Sequence, residues 1–332
     1  MSETESFTLP HLAAADGDGL NHARRLRRRR LLLKTAFFAL FVLAPPLDLF
    51  RFDLEKNNLI LFGMDWTLGF PEYHQGLISL GELTWNLLWK AFLPVLGAGA
   101  LLLTVAWRWG RLYCGWLCPH FSVVEAVNAL MTRAIGRPSL WEKFPLPRTR
   151  ADGRPRSLSR WYWIPTLAAI LGFAFLWAVS FLTYLLPPAE IYHNLFHGQL
   201  TPNQFRFLAV ATAVFTIEFA FARHLFCRFG CAVGIFQSLA WMANRNALVI
   251  GFDRRRAAEC RDCNNACDNA CPARLKPRTL KRKMFTCTQC VECIAACTQV
   301  EARKGRRSLL HWVDGSCARH KIDGKDHDVA CF

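Results

Sequence analysis

Eight cysteines between Cys260 and Cys297 constrain this chain more than any other feature of its 332 residues. They fall in two runs of four. Cys287, Cys290, Cys293 and Cys297 follow C-x2-C-x2-C-x3-C, the spacing that wraps an iron–sulfur cubane. Cys260, Cys263, Cys267 and Cys271 end in Cys271-Pro272, as such runs do, but carry one additional residue between the second and third cysteines. Three thiols in a tight loop can close round a four-iron core, with the fourth arriving from elsewhere. In two-cluster ferredoxins the fourth cysteine of each run ligates the other cluster. The expected ligand sets are therefore Cys260, Cys263, Cys267 and Cys297 for one [4Fe–4S] cluster, and Cys271, Cys287, Cys290 and Cys293 for a second. Residues 250–310 are read as an α+β, ferredoxin-like domain holding both. Two zinc sites are the alternative, although zinc usually pairs two C-x2-C knuckles separated by about 12–20 residues. The stretch Asn264-Asn265-Ala266 is expected to bulge, or to change the surroundings of its cluster.

The rest of the chain is apolar in long blocks. Hydrophobic residues make up 52% and charged residues only 20%, with a net charge of +16. Four stretches, about 31–50, 86–107, 162–186 and 207–226, approach the roughly 20 apolar residues that cross a hydrocarbon core. Prolines 45 and 46 weaken the first and Glu218 the last. Basic residues lie beside these spans: seven between Arg24 and Lys34, and eight between Arg133 and Arg160. Residues 46–85 instead carry six acids against two basic residues, and 187–206 are almost uncharged. Lys and Arg mark the cytoplasmic side of a membrane protein. The fold class expected is an α-helical integral membrane protein of a bacterial inner membrane, with four spans, its N-terminus and ferredoxin domain cytoplasmic. Residues 1–23 are read as a disordered tail, 24–245 as the transmembrane domain and 311–332 as a flexible tail holding Cys317, Cys331, His311, His320 and His327. No cleavable signal is expected, and the cysteines are assigned to metal ligation instead of disulfides. The basic charge is assigned to the lipid bilayer, not to nucleic acid.

An internal repeat joins the spans to the cysteine chemistry. Leu112-Tyr113-Cys114-x3-Cys118 and Leu225-Phe226-Cys227-x3-Cys231 share one pattern, each at the end of a span. Two hairpins of one type would present Cys114, Cys118, Cys227 and Cys231 to one surface, each pair on one face if helical. Soft thiolates suit copper(I) or a further iron–sulfur centre, and a thiol pair can also cycle to a disulfide. Inert buried cysteines are the plainer alternative. His120 beside the first pair and His224 beside the second are weaker metal candidates, as are His193 and His197 in an outer loop. Glu218 is an intramembrane acid, functional by default unless Arg223 neutralises it. No dinucleotide fingerprint, phosphate loop, flavin motif or haem-attachment site is present, so the chemistry points to electron conduction.

With these motifs in view the chain resembles the membrane polyferredoxins of the CcoG/FixG/RdxA family, accessory proteins of haem–copper oxidase assembly. The carrying residues are Phe62-Gly63, Arg111-Leu-Tyr-Cys114-Gly-Trp-Leu-Cys118-Pro119, Cys227-x3-Cys231 and the Cys260–Cys297 run, spread over about 24–310. The resemblance implies reduction of copper(II) to copper(I) at the cytoplasmic face, with copper chaperones or oxidase assembly factors as partners. Family members continue into an immunoglobulin-like domain, for which this sequence, ending at Phe332, has no counterpart. The related NapH and NosR imply an alternative, quinol oxidation feeding a respiratory reductase. A third possibility is a membrane anchor whose metal sites only hold a docking domain together.

Overall fold

The computed structural model describes residues 16–323 and Cys331. The N-terminal helix, Asp16–Leu43, opens ahead of the basic run, so residues 16–23, expected to be unstructured, already belong to it. It stops at Leu43, two residues before Pro45, because proline disfavours helical geometry in the residue before it. The expected span to residue 50 is thereby cut short. The chain turns instead into an antiparallel meander, β1 (Phe50–Asp53), β2 (Asn58–Leu61) and β3 (Met64–Trp66), with Phe50 opposite Leu61 and Leu59 opposite Trp66. Leu54 N–H donates to Leu185 O at 3.0 Å, which fastens this sheet to one end of the helical bundle.

Among the described residues three helices are long and apolar enough to cross a membrane: Leu80–Trp109, Arg160–Leu185 and Pro202–Ala222. Two of the starts have a local cause. Ser79 and Glu82 form a reciprocal capping box, as do Thr201 and Gln204, which satisfies otherwise orphaned helix N–H groups. Pro187 and Pro188 follow the end of the second. The third begins earlier than the sequence pattern implied and stops at Ala222, through a π turn over Glu218–Ala222. The bundle core consists of Val123 and Val127 from the Pro119–Ile135 helix, Ile170, Ala174 and Trp177 from Arg160–Leu185, and Phe219. Phe38 of the N-terminal helix stacks on Trp177 at 5.4 Å, and Phe181 stacks on Phe215 at 5.7 Å.

The cysteine-rich region folds around a two-stranded antiparallel sheet, β4 (Val249–Phe252) and β5 (Leu310–Val313), with Val249 opposite Val313 and Phe252 opposite Leu310. Its core runs past residue 310. Val313 and Ala318, from the Gly315–Asp323 helix, pack with Trp241, Ile250 and Met284. The expectation of a flexible tail after 310 is corrected over 311–323: β4 is buried along its whole length, and β5 with this helix covers it. Cys317 and Cys331 form a disulfide, against the assignment of every cysteine to metal chemistry. His327 lies outside the described residues.

Lys281 is buried beneath this sheet. Its Nζ donates to Trp241 O at 3.0 Å and Asn244 O at 2.6 Å, above the Trp241 ring. Burial draws the amine down from 10.5 to about 8. Between pH 8 and 10.5 the unfolded chain keeps a proton that the folded chain has lost, so stability rises with pH across that window. Thermal unfolding of the wild type should shift upward from pH 8 to 10, and Lys281→Met should abolish that slope. An equal slope in the variant would show that other groups carry it.

Candidate functional site

The two cysteine runs curl through left-handed backbone. Asn264 and Asn265 have φ of 50° and 54°, a conformation asparagine tolerates better than most residues. They absorb the additional residue of the first run as a bulge. Asn269 Nδ2 donates to Asn264 O and Arg278 Nη2 to Asn265 Oδ1, both at 2.8 Å, which fixes it. In the second run Gln289 (φ 52°) and Val291 (φ 62°) turn the chain between cysteines. A β-branched residue is strained in that conformation, and Val291 is held there by burial in the domain core.

The consequence is two pockets. Cys260, Cys263, Cys267 and Cys297 line one together with Phe252 and Leu309. Cys271, Cys287, Cys290 and Cys293 line another, walled by Ile250, Leu275 and Met284. Backbone amides point at the sulfurs: Leu275 N–H to Cys271 Sγ at 3.3 Å and Leu309 N–H to Cys297 Sγ at 3.4 Å. Burial pushes the thiol of Cys287 up to about 12, and raises those of Cys267, Cys271 and Cys293 well above their ordinary value. Buried thiols of this kind ionise only when a bound metal takes the place of the proton. Among the described residues no three His, Cys, Asp or Glu side chains converge as they would on one ion. A zinc ion needs its sulfurs about 2.3 Å from a single centre, whereas thiols spread round a pocket suit a multi-iron core. The residues fit two [4Fe–4S] clusters.

The hairpin cysteines rest on a repeated backbone device. Leu80–Trp109 ends at Gly110 (φ 73°) and Pro202–Ala222 at Arg223 (φ 43°), each four residues before the first cysteine of its pair. The pairs are not simply helical. Cys114 lies in the short helix Leu112–Trp116 and Cys227 in a π turn, Phe226–Gly230. Cys118 and Cys231 are the N-caps of the helices Pro119–Ile135 and Ala232–Ala243. All four thiols fall within electrostatic reach of one another: Cys118 senses Cys114 and Cys231, and Cys227 senses the other three. Burial lifts Cys118 to about 11, partly opposed by N–H groups of Phe121 and His120 at the helix start.

The ferredoxin domain sits directly on the first hairpin. A Cβ at Gly115 would meet Thr288 O at 2.1 Å, so this glycine lets the Cys287–Cys290 loop approach the backbone. Trp116 Nε1 donates to Gln289 O at 3.0 Å. Arg30 locks the junction, donating to Gly115 O at 2.8 Å and pairing with Glu125 at 2.5 Å and Glu292 at 3.1 Å, while Lys34 pairs with Glu125. Sequence reasoning treated Arg30 and Lys34 only as part of a basic run and passed over Gly115, Glu125 and Glu292. Their signal is tertiary, since the partners of Arg30 lie up to 262 residues away.

The histidines divide. His120 Nε2 lies 3.3 Å from Glu218 Oε1, and its ring packs on Phe219 and Phe226. Arg223, the expected partner of Glu218, instead donates to Asn128 Oδ1, Pro138 O and Ala220 O. His224 lines a small pocket with Arg111 and Cys227. His193 and His197 stack at 4.2 Å on the exposed helix Pro188–His197, at the opposite end of the bundle from the thiols.

A family of 4Fe–4S binding domains matches residues 91–138 and 203–247, the two thiol hairpins, and not the Cys260–Cys297 runs. The chain is similar to YccM of Escherichia coli strain K12, whose name assigns it provisionally to electron transport, with 28% identity over 228 residues. That stretch is 62% of this chain and 55% of the relative, so the chain spans about half the length of YccM. It is also similar to MJ0750 of Methanocaldococcus jannaschii, an uncharacterized protein, at 24% identity over 57% of this chain and 69% of that one. No solved structure matches. The class defined is that of a mostly helical chain with three apolar helices of membrane-crossing length and a 4Fe–4S binding character.

Proposed function

We propose that this protein is a membrane-bound iron–sulfur electron carrier, passing single electrons between the two ferredoxin-type sites and the four hairpin thiols. The observation that carries this reading is the seat of the Thr288–Gln289 loop on Gly115 and Trp116. It brings a ligand loop of the second ferredoxin site against the backbone of the first thiol pair. When bound, a [4Fe–4S] cluster supplies one-electron redox chemistry. The protein holds the cluster, shields it from water and fixes it against the hairpin. The electron-transport name of YccM agrees with this role.

The acceptor proposed at Cys114, Cys118, Cys227 and Cys231 is copper(II), taken up at the cytoplasmic face and released as copper(I) for haem–copper oxidase assembly. Soft thiolates favour the reduced ion. Cys114→Ala and Cys227→Ala are expected to lose most of the cupric reductase rate of the dithionite-reduced protein while keeping their iron. Unchanged rates at full iron content would remove the hairpin thiols from the path.

A second reading, quinol oxidation, is favoured by the His120–Glu218 pair. Both Glu218 oxygens and His120 Nε2 are buried without a hydrogen-bond partner, as groups awaiting a quinol hydroxyl would be. Reduction of the clusters by added quinol in membranes, lost in Glu218→Gln, would select it over copper.

A further inference from the structure

Arg111 is one of the largest fully buried side chains in the molecule, 2% exposed. Its Nη2 donates to Cys227 O at 2.8 Å, and its charge reaches the Cys114 sulfur, three residues further along the same hairpin. Among the described residues no carboxylate lies within ion-pair distance of it, and its Nε is buried with no partner. Arg223, buried as deeply and with its Nε likewise unpartnered, differs in that both its terminal nitrogens donate, to Asn128 Oδ1 and to two carbonyls. An isolated buried cation is costly unless negative charge offsets it. Arg111 shares a small pocket with Cys227, His224 and Arg228 and with Thr286 and Thr288, the residues on either side of Cys287 of the second ferredoxin site, and its charge reaches Cys114, Cys227 and Cys287. Cys260, Cys267 and Cys297 of the first site do not, and Arg278 stands beside Cys260 and Cys267 instead. The space is reserved for this side chain: a Cβ at Gly234 would lie 2.1 Å from Arg111 Nη2.

We infer that Arg111 is the shared counter-cation of the hairpin thiol site and the Cys271/Cys287/Cys290/Cys293 site, favouring the reduced state of the latter. The inference rests on the electron-carrier reading. Each electron accepted adds one negative charge to a four-thiolate site, and a fixed positive charge nearby stabilises that added charge more than the oxidised state. Arg111 is a positioning residue in this scheme, acting through charge while the thiols hold the metal. Because it faces both centres, it biases an arriving electron toward the one docked on the hairpin and away from the first site.

The test is a redox titration of the full chain, purified anaerobically in detergent and followed by electron paramagnetic resonance. The signal of the second site is assigned as the one lost in Cys293→Ala. Arg111→Gln should keep its iron, while the ratio of reduced to oxidised second site at a fixed potential falls roughly tenfold, the size expected for a unit charge at partly buried range. The first site should not move. Arg111→Lys should recover most of the ratio, and Gly234→Ala, which displaces the guanidinium, should shift it in the direction of Arg111→Gln. An unchanged ratio in Arg111→Gln, or an equal shift of both sites, would overturn the inference. If Arg111→Gln does not accumulate, Gly234→Ala decides by the same criterion. Wild-type protein free of iron would overturn the carrier reading itself, a result distinct from any of these.

Discussion

Replacing Cys293 with alanine is expected to halve the iron of the purified protein, from about eight atoms per chain to about four, one cubane's worth. Cys293 opens the helix Glu292–Ala302, whose next turn carries Cys297. The two thiols face different pockets, so this single helix serves both sites. Losing Cys293 leaves Cys271, Cys287 and Cys290 round a pocket whose other lining side chains are apolar apart from Thr288, with no fourth thiol or carboxylate to replace the sulfur. The other four thiols keep their arrangement, because the Asn264–Asn265 bulge positions three of them and Cys297 is held by the Glu292–Ala302 helix and the Leu309 N–H, neither of which the substitution removes. Iron and sulfide analysis checks this directly. Full iron retention would remove Cys293 from the ligand set, and complete loss would show that the two sites cannot be filled separately.

The second large effect is expected at Gly115. A methyl group there meets the backbone of Thr288, at 2.1 Å from its oxygen and 3.1 Å from its carbon, so the ferredoxin loop must retreat. Overpacking of this kind typically costs about 1–3 kcal/mol. In Gly115→Ala the cluster ligands are untouched and iron content should hold, while reoxidation of the reduced clusters by an acceptor at the hairpin thiols slows sharply. Gly97→Ala is the control, since nothing lies within 4 Å of a Cβ at that position. Reoxidation as fast in Gly115→Ala as in the control would break the link between this contact and electron passage.

Periodicity and spacing made much of the architecture legible. Three of the four apolar runs became helices of membrane-crossing length, with ends within six residues of the reading, and the repeated cysteine pairs marked the hairpins that the 4Fe–4S family also matches. Local backbone chemistry set where the pattern misled. Pro45 shortened the first run, and the Gly110 and Arg223 turns took the cysteine pairs out of simple helix, so the i, i+4 geometry did not form. The segment after residue 310 looked like a polar tail because its core residues, Val313 and Ala318 with Trp312 and Cys317 packed against them, are scattered among polar ones. Contacts across the longest sequence separations were invisible. Arg30 reads as one arginine among several, and only the folded chain singles it out.

That arginine also imposes an order in time. Arg30 is made 262 residues before one of its anchors, Glu292, which lies beside Cys293. Chains fold from the N-terminus as they emerge, so the helices can be in place while this clamp is still open. Until Glu292 arrives, the Cys287–Cys290 loop is not fastened to Gly115. The ligand loop therefore stays accessible until that residue arrives, and closing the latch afterwards seals it against the bundle.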